Sequence, residues 1–424
     1  MGPNPRLNIA IIGGGVAGLT AAHILDRQHR ITLYEKNNYV GGHTNTVVIP
    51  DGPDQGIAVD TGFIVLNNQT YPLFSRLLQQ LGVAVRDSEM SFSYYNEENQ
   101  FQYAGTSVNG LFAQRINLLR PAFYKMLHDI TYFNKRALVD LHNGALLGLS
   151  LGQYLFRLNF SKAFIHQYLL PMGAAIWSTP ASYVMEYPVE SFVRFFKNHG
   201  LLSLSNRPQW QTVMGGSHSY VKAFLKQFSG EIQLNAQIAS VHRDLSGVSM
   251  QMRDGSERKY DRVIMAAHAD ESLKLLADPS IEEQKWLGAW KYSSNHTVLH
   301  TDSSVLPPLK RAWASWNYGK EKNTGDNQPV SLTYYMNRLQ GLQTHAHYCV
   351  TLNRSKPIPA NQIIREFNYM HPMYSLAALD SQRKLPALNG VKNTYFCGSY
   401  FGYGFHEDAV RSAVDVTMNF GLSL

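Results

Sequence analysis

The sequence predicts an α/β fold in which a parallel, doubly wound sheet is interleaved with a second, α+β domain. Three observations predict it. Asn8 to Glu35 reads as strand, glycine turn, helix, strand and acid; glycine pairs recur at Gly41-Gly42 and Gly215-Gly216; and the chain ends in a strand, a Gly-Ser turn and a helix. At 424 residues the chain exceeds one ordinary core, and 44% hydrophobic residues can fill two.

The apolar run Ile9 to Ile12 reads as a buried parallel strand, with Gly13, Gly15 and Gly18 at G-x-G-x-x-G spacing behind it. Gly13 permits the tight turn, Gly15 lets the backbone approach a pyrophosphate, and Gly18 lets a helix from Val16 to about His29 pack on the sheet. The pyrophosphate sits at that helix's N-terminus, where free N–H groups and the dipole favour negative charge. Ile31 to Tyr34 forms the second strand, and Glu35, 22 positions after Gly13 (35 − 13), can accept bonds from ribose hydroxyls. An acid there favours an unphosphorylated ribose, FAD or NAD rather than NADP. Glycine-rich turns open many helices for packing alone. Strand, helix and acid in one register make this a Rossmann-like dinucleotide site.

The segments after Glu35 separate FAD from NAD. The loop Lys36 to Thr44, with Gly41, Gly42, His43 and Thr44 at its end, resembles the loop that wraps the pyrophosphate in large FAD enzymes. Ala58 to Ile64, containing Gly62, Phe63 and Ile64, resembles the segment those enzymes lay beside the isoalloxazine ring. Met214 to Tyr220, followed by an apolar helix, resembles the entry to a second FAD segment. Glu231 to Ser240, Gly247 to Arg253, the Asp254-Gly255 turn and Tyr260 to Ala267 read as a short antiparallel meander returning to the parallel sheet. By its place in that segment Ile238 offers its backbone to the adenine, and Ala267 is small enough for the cofactor to lie close.

At the C-terminus, Thr394 to Cys397 reads as a strand, Gly398-Ser399 as a turn and Gly404 to Ala413 as the start of a last helix. This resembles the C-terminal FAD motif of the flavin-containing amine oxidase superfamily, whose helix N-terminus points at the flavin pyrimidine edge and stabilises negative charge there. The resemblance implies FAD as cofactor and a Rossmann-like FAD-binding domain of glutathione-reductase/amine-oxidase type. It narrows through Gly41 to Thr44, Val59 to Phe63, Ala174 to Ser178, Tyr335 to Gln340, His371-Pro372 and Phe396 to Gly398. These strings are similar to the branch of predicted flavoproteins associated with cyclopropane-fatty-acid synthases. Three departures stand out: His43 where many members carry arginine, Ser399 where an acid is common, and Ala409 and Ala413 where this branch often has glycine. Phosphate neutralisation then falls to the helix dipole, Lys36 or another group.

With FAD segments at both ends and in the middle, the domains interleave: residues 1–85, 205–278 and 388–424 form the FAD domain, and 86–204 and 279–387 the substrate domain. The first insertion is largely helical, for example Leu118 to Leu141. The second is rich in aromatics, with strand-like stretches at Val330 to Tyr335 and His347 to Leu352. Aromatic stripes are core more often than pocket. Gly319 to Gln328 reads as a flexible loop.

No run of 18 uninterrupted apolar residues argues for a membrane span, and a strand within the first ten residues leaves no room for a signal peptide. Only Cys349 and Cys397 occur, which excludes a disulfide scaffold and makes a reducing cytoplasm the default. Cys397 reads as a packed thiol, and no metal site is expected. The net charge of +7 invites an anionic partner. Basic residues are scattered and nucleic-acid motifs absent, so nucleic acid is the weaker choice; a peripheral contact with anionic membrane would explain the charge if the substrate is a lipid, and a generically basic soluble surface explains it equally well.

The resemblance also bears on chemistry. Amine oxidases of the superfamily frame the substrate nitrogen between aromatics, one a tyrosine just inside the final motif, and Phe405 stands in that place here. Phenylalanine keeps the apolar wall and drops the polar handle. With the branch's link to cyclopropane synthases, this implies hydride removal from an acyl chain, and a synthase-type partner. His43, His218, His268 and His406 are the candidate proton-transfer groups, His406 foremost because the motif puts it at the flavin edge. An amine oxidase, a flavin-dependent double-bond isomerase and a non-catalytic accessory protein that binds FAD are the rival readings.

Overall fold

A computed structural model describes residues 5–203, 208–322, 325, 327–329 and 331–424. Five parallel strands form its first sheet, in the order Glu231–Gln233, Arg30–Tyr34, Asn8–Ile12, Arg262–Met265 and Thr394–Phe396. Along the central strand Ile9 and Ile11 join one apolar cluster, and Ala10 and Ile12 join another on the opposite face. Both faces are therefore covered, which is why the run reads as continuously hydrophobic. Helices Val16–Leu25 and His406–Met418 pack side by side on the first face. A three-stranded antiparallel sheet, Ile238–Arg243, Val248–Met252 and Glu257–Tyr260, covers the second. It is tied down by the fully buried guanidinium of Arg243, which donates to both oxygens of Glu283 at 2.6 and 2.9 Å.

A second sheet of seven strands runs Ile363–Met373, Lys291–His300, Cys349–Leu352, Leu332–Tyr335, Trp316–Lys320, Phe92–Asn96 and Gln102–Ala104. All its pairs are antiparallel except Trp316–Lys320 with Phe92–Asn96. Beside it lies a helical body that includes Pro121–His142, Leu170–Trp177 and Val189–Asn198, filled by Phe133, Phe164, Phe192 and Phe196. The architecture is the α/β parallel sheet with an interleaved α+β unit that the sequence predicts.

Several elements differ from expectation in extent. The first helix stops at Leu25, four residues before His29; residues 26–28 close a turn in which the Leu25 carbonyl takes the Gln28 and His29 N–H groups, and the Asp26 carboxylate accepts the Ser229 N–H at 2.8 Å. The stretch Glu231 to Ser240 splits into an edge strand of the parallel sheet and the first antiparallel strand. Across the Asp254-Gly255 turn the hairpin partner is Glu257–Tyr260, and the following parallel strand ends at Met265 rather than Ala267. The long helix begins at Pro121, since proline disfavours helix in the residue before it, and Arg115–Leu119 forms a separate 3-10 turn. The last helix begins at His406 rather than Gly404, which sits at φ +95°. The aromatic strands are shorter, Leu332–Tyr335 and Cys349–Leu352, and Val330 lies outside the described residues. Gly319 and Lys320 of the expected loop belong to a strand, while Asn323, Thr324 and Asp326 lie outside the described residues.

Candidate active site

The first strand delivers Gly13 to the sheet's C-terminal edge, its N–H on the Tyr34 carbonyl at 2.8 Å. Its φ of +115° and an Ala266 carbonyl 2.6 Å from any added Cβ require glycine there. A Cβ on Gly18 would meet the Gly13 carbonyl oxygen at 1.9 Å, whereas one on Gly15 would meet nothing within 4 Å. Gly15 thus fronts open space at the N-terminus of helix Val16–Leu25, which has no side-chain cap and no acid in its first turn. Those free N–H groups are what an anion needs. The buried Glu35 carboxylate accepts the Gly14 N–H at 2.9 Å and the Asn37 N–H at 2.8 Å. Lys36 pairs with Glu271 at 2.5 Å.

The second loop is stitched to the first: Gly41 N–H donates to the Gly14 carbonyl at 2.8 Å, and Gly42 faces Gly15. His43 is next in the chain, stacked on Tyr369 and His371 at 5.1 and 5.4 Å between centroids. Its Nε2 is buried without a hydrogen-bond partner. Burial, and then the neighbouring His371, His268 and His406, hold its pKa well below the usual histidine value. Thr44 Oγ1 shares hydrogen bonds with Tyr220 at 2.5 Å and His406 Nε2 at 3.0 Å. A Cβ on Gly62 would lie 2.1 Å from the His43 carbonyl, so the two loops are in backbone contact. Phe63 stacks on His406, and the Ile64 carbonyl accepts the Thr212 hydroxyl.

Behind this loop Asp60 is fully buried and accepts from the Ser217 N–H and hydroxyl, the Thr46 hydroxyl and the Gln340 amide. Burial pushes its carboxyl up to about 6 despite these bonds. Asp60 ties together segments 157 and 280 residues away and escapes sequence reasoning, as do Tyr220 and Tyr369. Only the Asp-Thr-Gly string hints at the acid.

At the third approach Gly398 donates its N–H to Ser412 Oγ at 2.9 Å, and the Tyr400 ring lies 2.5 Å from where its Cβ would be. The Ser399 carbonyl accepts the Gly404 N–H. Cys397 is a buried free thiol, pushed up to about 12 by burial. Phe405 caps the last helix, its N–H on Asp408 at 3.1 Å, while Glu407 accepts the Leu73 and Phe74 N–H groups. This helix N-terminus, unlike the first, already carries two carboxylates. Burial takes His406 down to about 3, so its imidazole is neutral.

Two further candidates border this cluster. His268 stacks on Tyr292 at 4.4 Å and lies 6.3 Å from His43, whereas His218 reaches only toward the Thr44 carbonyl at 3.5 Å. Ile238 pairs with Met252, and the Arg253 N–H donates to the Gln237 carbonyl. That makes Ile238 and Met252 a non-hydrogen-bonded pair, so the N–H and C=O of Ile238 point away from its partner strand. Among the described residues no cluster of His, Cys, Asp and Glu could hold a metal ion.

The donor set fits a flavin dinucleotide: an uncapped helix behind an open glycine, a buried carboxylate one strand away and an unpartnered buried imidazole nitrogen beside them. A family model described as flavin containing amine oxidoreductase matches residues 16–344. The chain belongs to this family. As a member, the chain takes FAD as its cofactor. It is 21% identical over 327 residues to an L-amino-acid oxidase of Siganus canaliculatus, 71% of this chain and 58% of that one. It shares 23% identity over 362 residues with an L-amino-acid oxidase of Mus musculus, covering 80% and 53%. The chain therefore spans between half and two thirds of these relatives. A zeta-carotene desaturase of Solanum lycopersicum is 37% identical over 79 residues, 18% of this chain and 13% of that one. Among solved structures, cyclohexylamine oxidase from Brevibacterium oxydans superimposes at TM-score 0.70 with 13% identity, over 98% of this chain and 100% of that chain. A CLA-producing fatty acid isomerase from P. acnes does so at 0.69 with 14% identity, over 98% of each. At these identities the likeness concerns the fold.

Proposed function

We propose that this oxidoreductase dehydrogenates a fatty-acyl chain or related lipid, placing a double bond in an unsaturated or methyl-branched acyl chain. The observation that carries the reading is the wall around Phe405. Its ring stacks on Phe195 at 5.2 Å and adjoins His199 at 5.7 Å, and burial takes His199 down to about 4, so these three rings are uncharged at neutral pH. An uncharged aromatic wall offers an alkyl chain apolar burial.

The FAD domain is assigned to residues 1–85, 205–278 and 388–424, and the substrate domain to 86–204 and 279–387. Gly13, Gly15, Gly18, Gly42, His43 and Thr44 hold the pyrophosphate with Lys36 in reserve, Glu35 the ribose and the Ile238 backbone the adenine. Gly62, Phe63, Ile64, Ala267, Gly398, Ser399 and His406 line the flavin. FAD held by these residues would supply a two-electron acceptor for the hydride of a substrate C–H bond, with the proton of the adjacent carbon passing to solvent and the electrons to dioxygen or a quinone. Held neutral by burial, His406 can accept or donate a hydrogen bond at the flavin edge, but its site disfavours the protonated form, so it positions rather than stores a proton. Association with a cyclopropane-fatty-acid synthase-type partner belongs to the same reading, supported by the branch's sequence strings.

The family match itself favours a second reading, oxidation of an amine. Anaerobic visible spectroscopy of the FAD-loaded protein separates the two. Bleaching by unsaturated or methyl-branched phospholipids alone supports the dehydrogenase. Bleaching by primary or secondary amines moves the protein to the amine oxidases. Bleaching by neither leaves the isomerase, read out as a shifted double bond, or the accessory protein.

A further inference from the structure

The +7 of the chain is unevenly placed. Phe101 to Met185 holds seven Lys and Arg against two Asp and Glu. Both acids turn inward: Asp129 accepts from Lys125 and the Ser161 N–H, and Asp140 from Arg136 and the Tyr154 hydroxyl. Each is buried, so this stretch exposes cations and no carboxylate.

The same stretch exposes large apolar side chains. Leu119 is 79% and Val108 76% exposed, and Ile116 and Leu118 are about half exposed. They sit on a firm lobe. Helix Val108–Leu111 is capped by Ser107, Arg115–Leu119 forms a 3-10 turn, and the Tyr124 hydroxyl holds the Leu118 carbonyl at 3.1 Å. From the neighbouring chain segment Arg311 donates to the Ala113 carbonyl. Arg115 bonds the Phe112 carbonyl and Asn109, and Arg120 bonds Asn117 and lies over the Phe101 ring. Among the described residues none of these guanidinium groups is paired with a carboxylate. On its inner side the lobe is continuous with the catalytic region, since Phe112, Leu127 and Phe405 pack against one apolar cluster.

We propose that the lobe of residues 108–125 docks the protein on an anionic phospholipid bilayer, a proposal that rests on the lipid substrate suggested above. Leu119, Val108, Ile116 and Leu118 enter the headgroup boundary while Arg115 and Arg120 meet lipid phosphates, the combination that holds interfacial segments on anionic membranes. Charge complementarity selects this partner, because a zwitterionic surface would leave the cations unused.

The test is sedimentation of the full-length, FAD-loaded protein with phosphatidylcholine vesicles, with and without phosphatidylglycerol. Binding is expected to the anionic vesicles only, with release at about 1 M salt, where the screening length is about 3 Å. The Arg115→Gln/Arg120→Gln pair lowers the partition about 25-fold, about five-fold for each cation lost from an anionic surface. Leu119→Ser lowers it about tenfold through lost apolar burial. Flavin absorbance and thermal unfolding check that each variant is folded. A wild type that stays in the supernatant, or variants that sediment like it, overturns the proposal, and a protein partner then has the better claim to the lobe. Flavin bleaching by monomeric fatty acid without vesicles is read separately. Sedimentation without bleaching removes the substrate reading and keeps the docking surface, whereas bleaching without sedimentation removes the docking surface.

Discussion

The rings of Phe63 and His406 lie face to face, 3.7 Å between centroids and 18° between planes, joining the second glycine loop to the N-terminus of the last helix. With Nε2 on Thr44, the imidazole is clamped on two sides. Burial keeps it neutral down to about pH 3.

His406→Ala therefore retains FAD, lowers turnover under the proposed role, and leaves the shape of the pH–rate profile around neutrality unchanged, because His406 has no ionisation there to lose. Flavin content and kcat across pH measure this. Unchanged turnover would dismiss His406 from the reaction.

Gly15 and Gly18 differ in what an added methyl meets. At Gly18 it strikes the Gly13 carbonyl oxygen, backbone that cannot yield, so Gly18→Ala costs about 1–3 kcal/mol or more in the apoprotein. At Gly15 it enters open space with φ at −75°, so Gly15→Ala leaves apoprotein stability nearly unchanged yet weakens FAD binding by crowding the pyrophosphate. Thermal unfolding without FAD and flavin titration separate the two; equal loss of apoprotein stability in both would argue against the open cradle.

Acid should destabilise the apoprotein before its carboxylates titrate normally. His371, His199 and His300 are brought to about 4 and His406 to about 3 by burial, against about 6.5 unfolded. Between these values the unfolded chain binds more protons, so stability falls as pH drops through 6.5 toward 4. Asp60 and Asp408, raised to about 6 by burial, oppose this, since there the folded state binds the extra proton. Four histidines outweigh two acids. Thermal unfolding from pH 7 to 4.5 is expected to show a falling midpoint, with a steeper fall in Asp408→Asn, which removes one opposing group.

Local chemistry is legible in the sequence, and long-range closure is not. The Gly13, Gly15 and Gly18 cradle and Glu35 are spaced along one strand, turn and helix, so their geometry follows from residues that are neighbours in the chain. Phe405 and His406 are found only through resemblance to a known motif. Asp60 with Gln340 and His43 with His371 meet through folding of segments hundreds of residues apart, which leaves no periodic trace. Even charge deceives in one dimension: the stretch 101–185 exposes its cations and no carboxylate once Asp129 and Asp140 are buried.

Phe405→Tyr tests the substrate reading at its carrying residue. The Phe405 ring is held against Phe195 with planes 21° apart, and its neighbour His199 gives its Nδ1 to the Phe195 carbonyl at 3.0 Å. A phenol hydroxyl added to this wall carries a desolvation cost of about 1–3 kcal/mol wherever it lacks a partner. If an alkyl chain lies on the wall in the transition state, that cost appears there, and kcat/KM for the acyl substrate falls roughly 5- to 160-fold at unchanged flavin content. An amine substrate behaves oppositely, because the hydroxyl restores a polar handle for nitrogen. Parallel steady-state assays with an unsaturated acyl lipid and an amine read the direction directly, and a gain with amine alongside no loss with lipid would move the protein into the amine-oxidising part of its family.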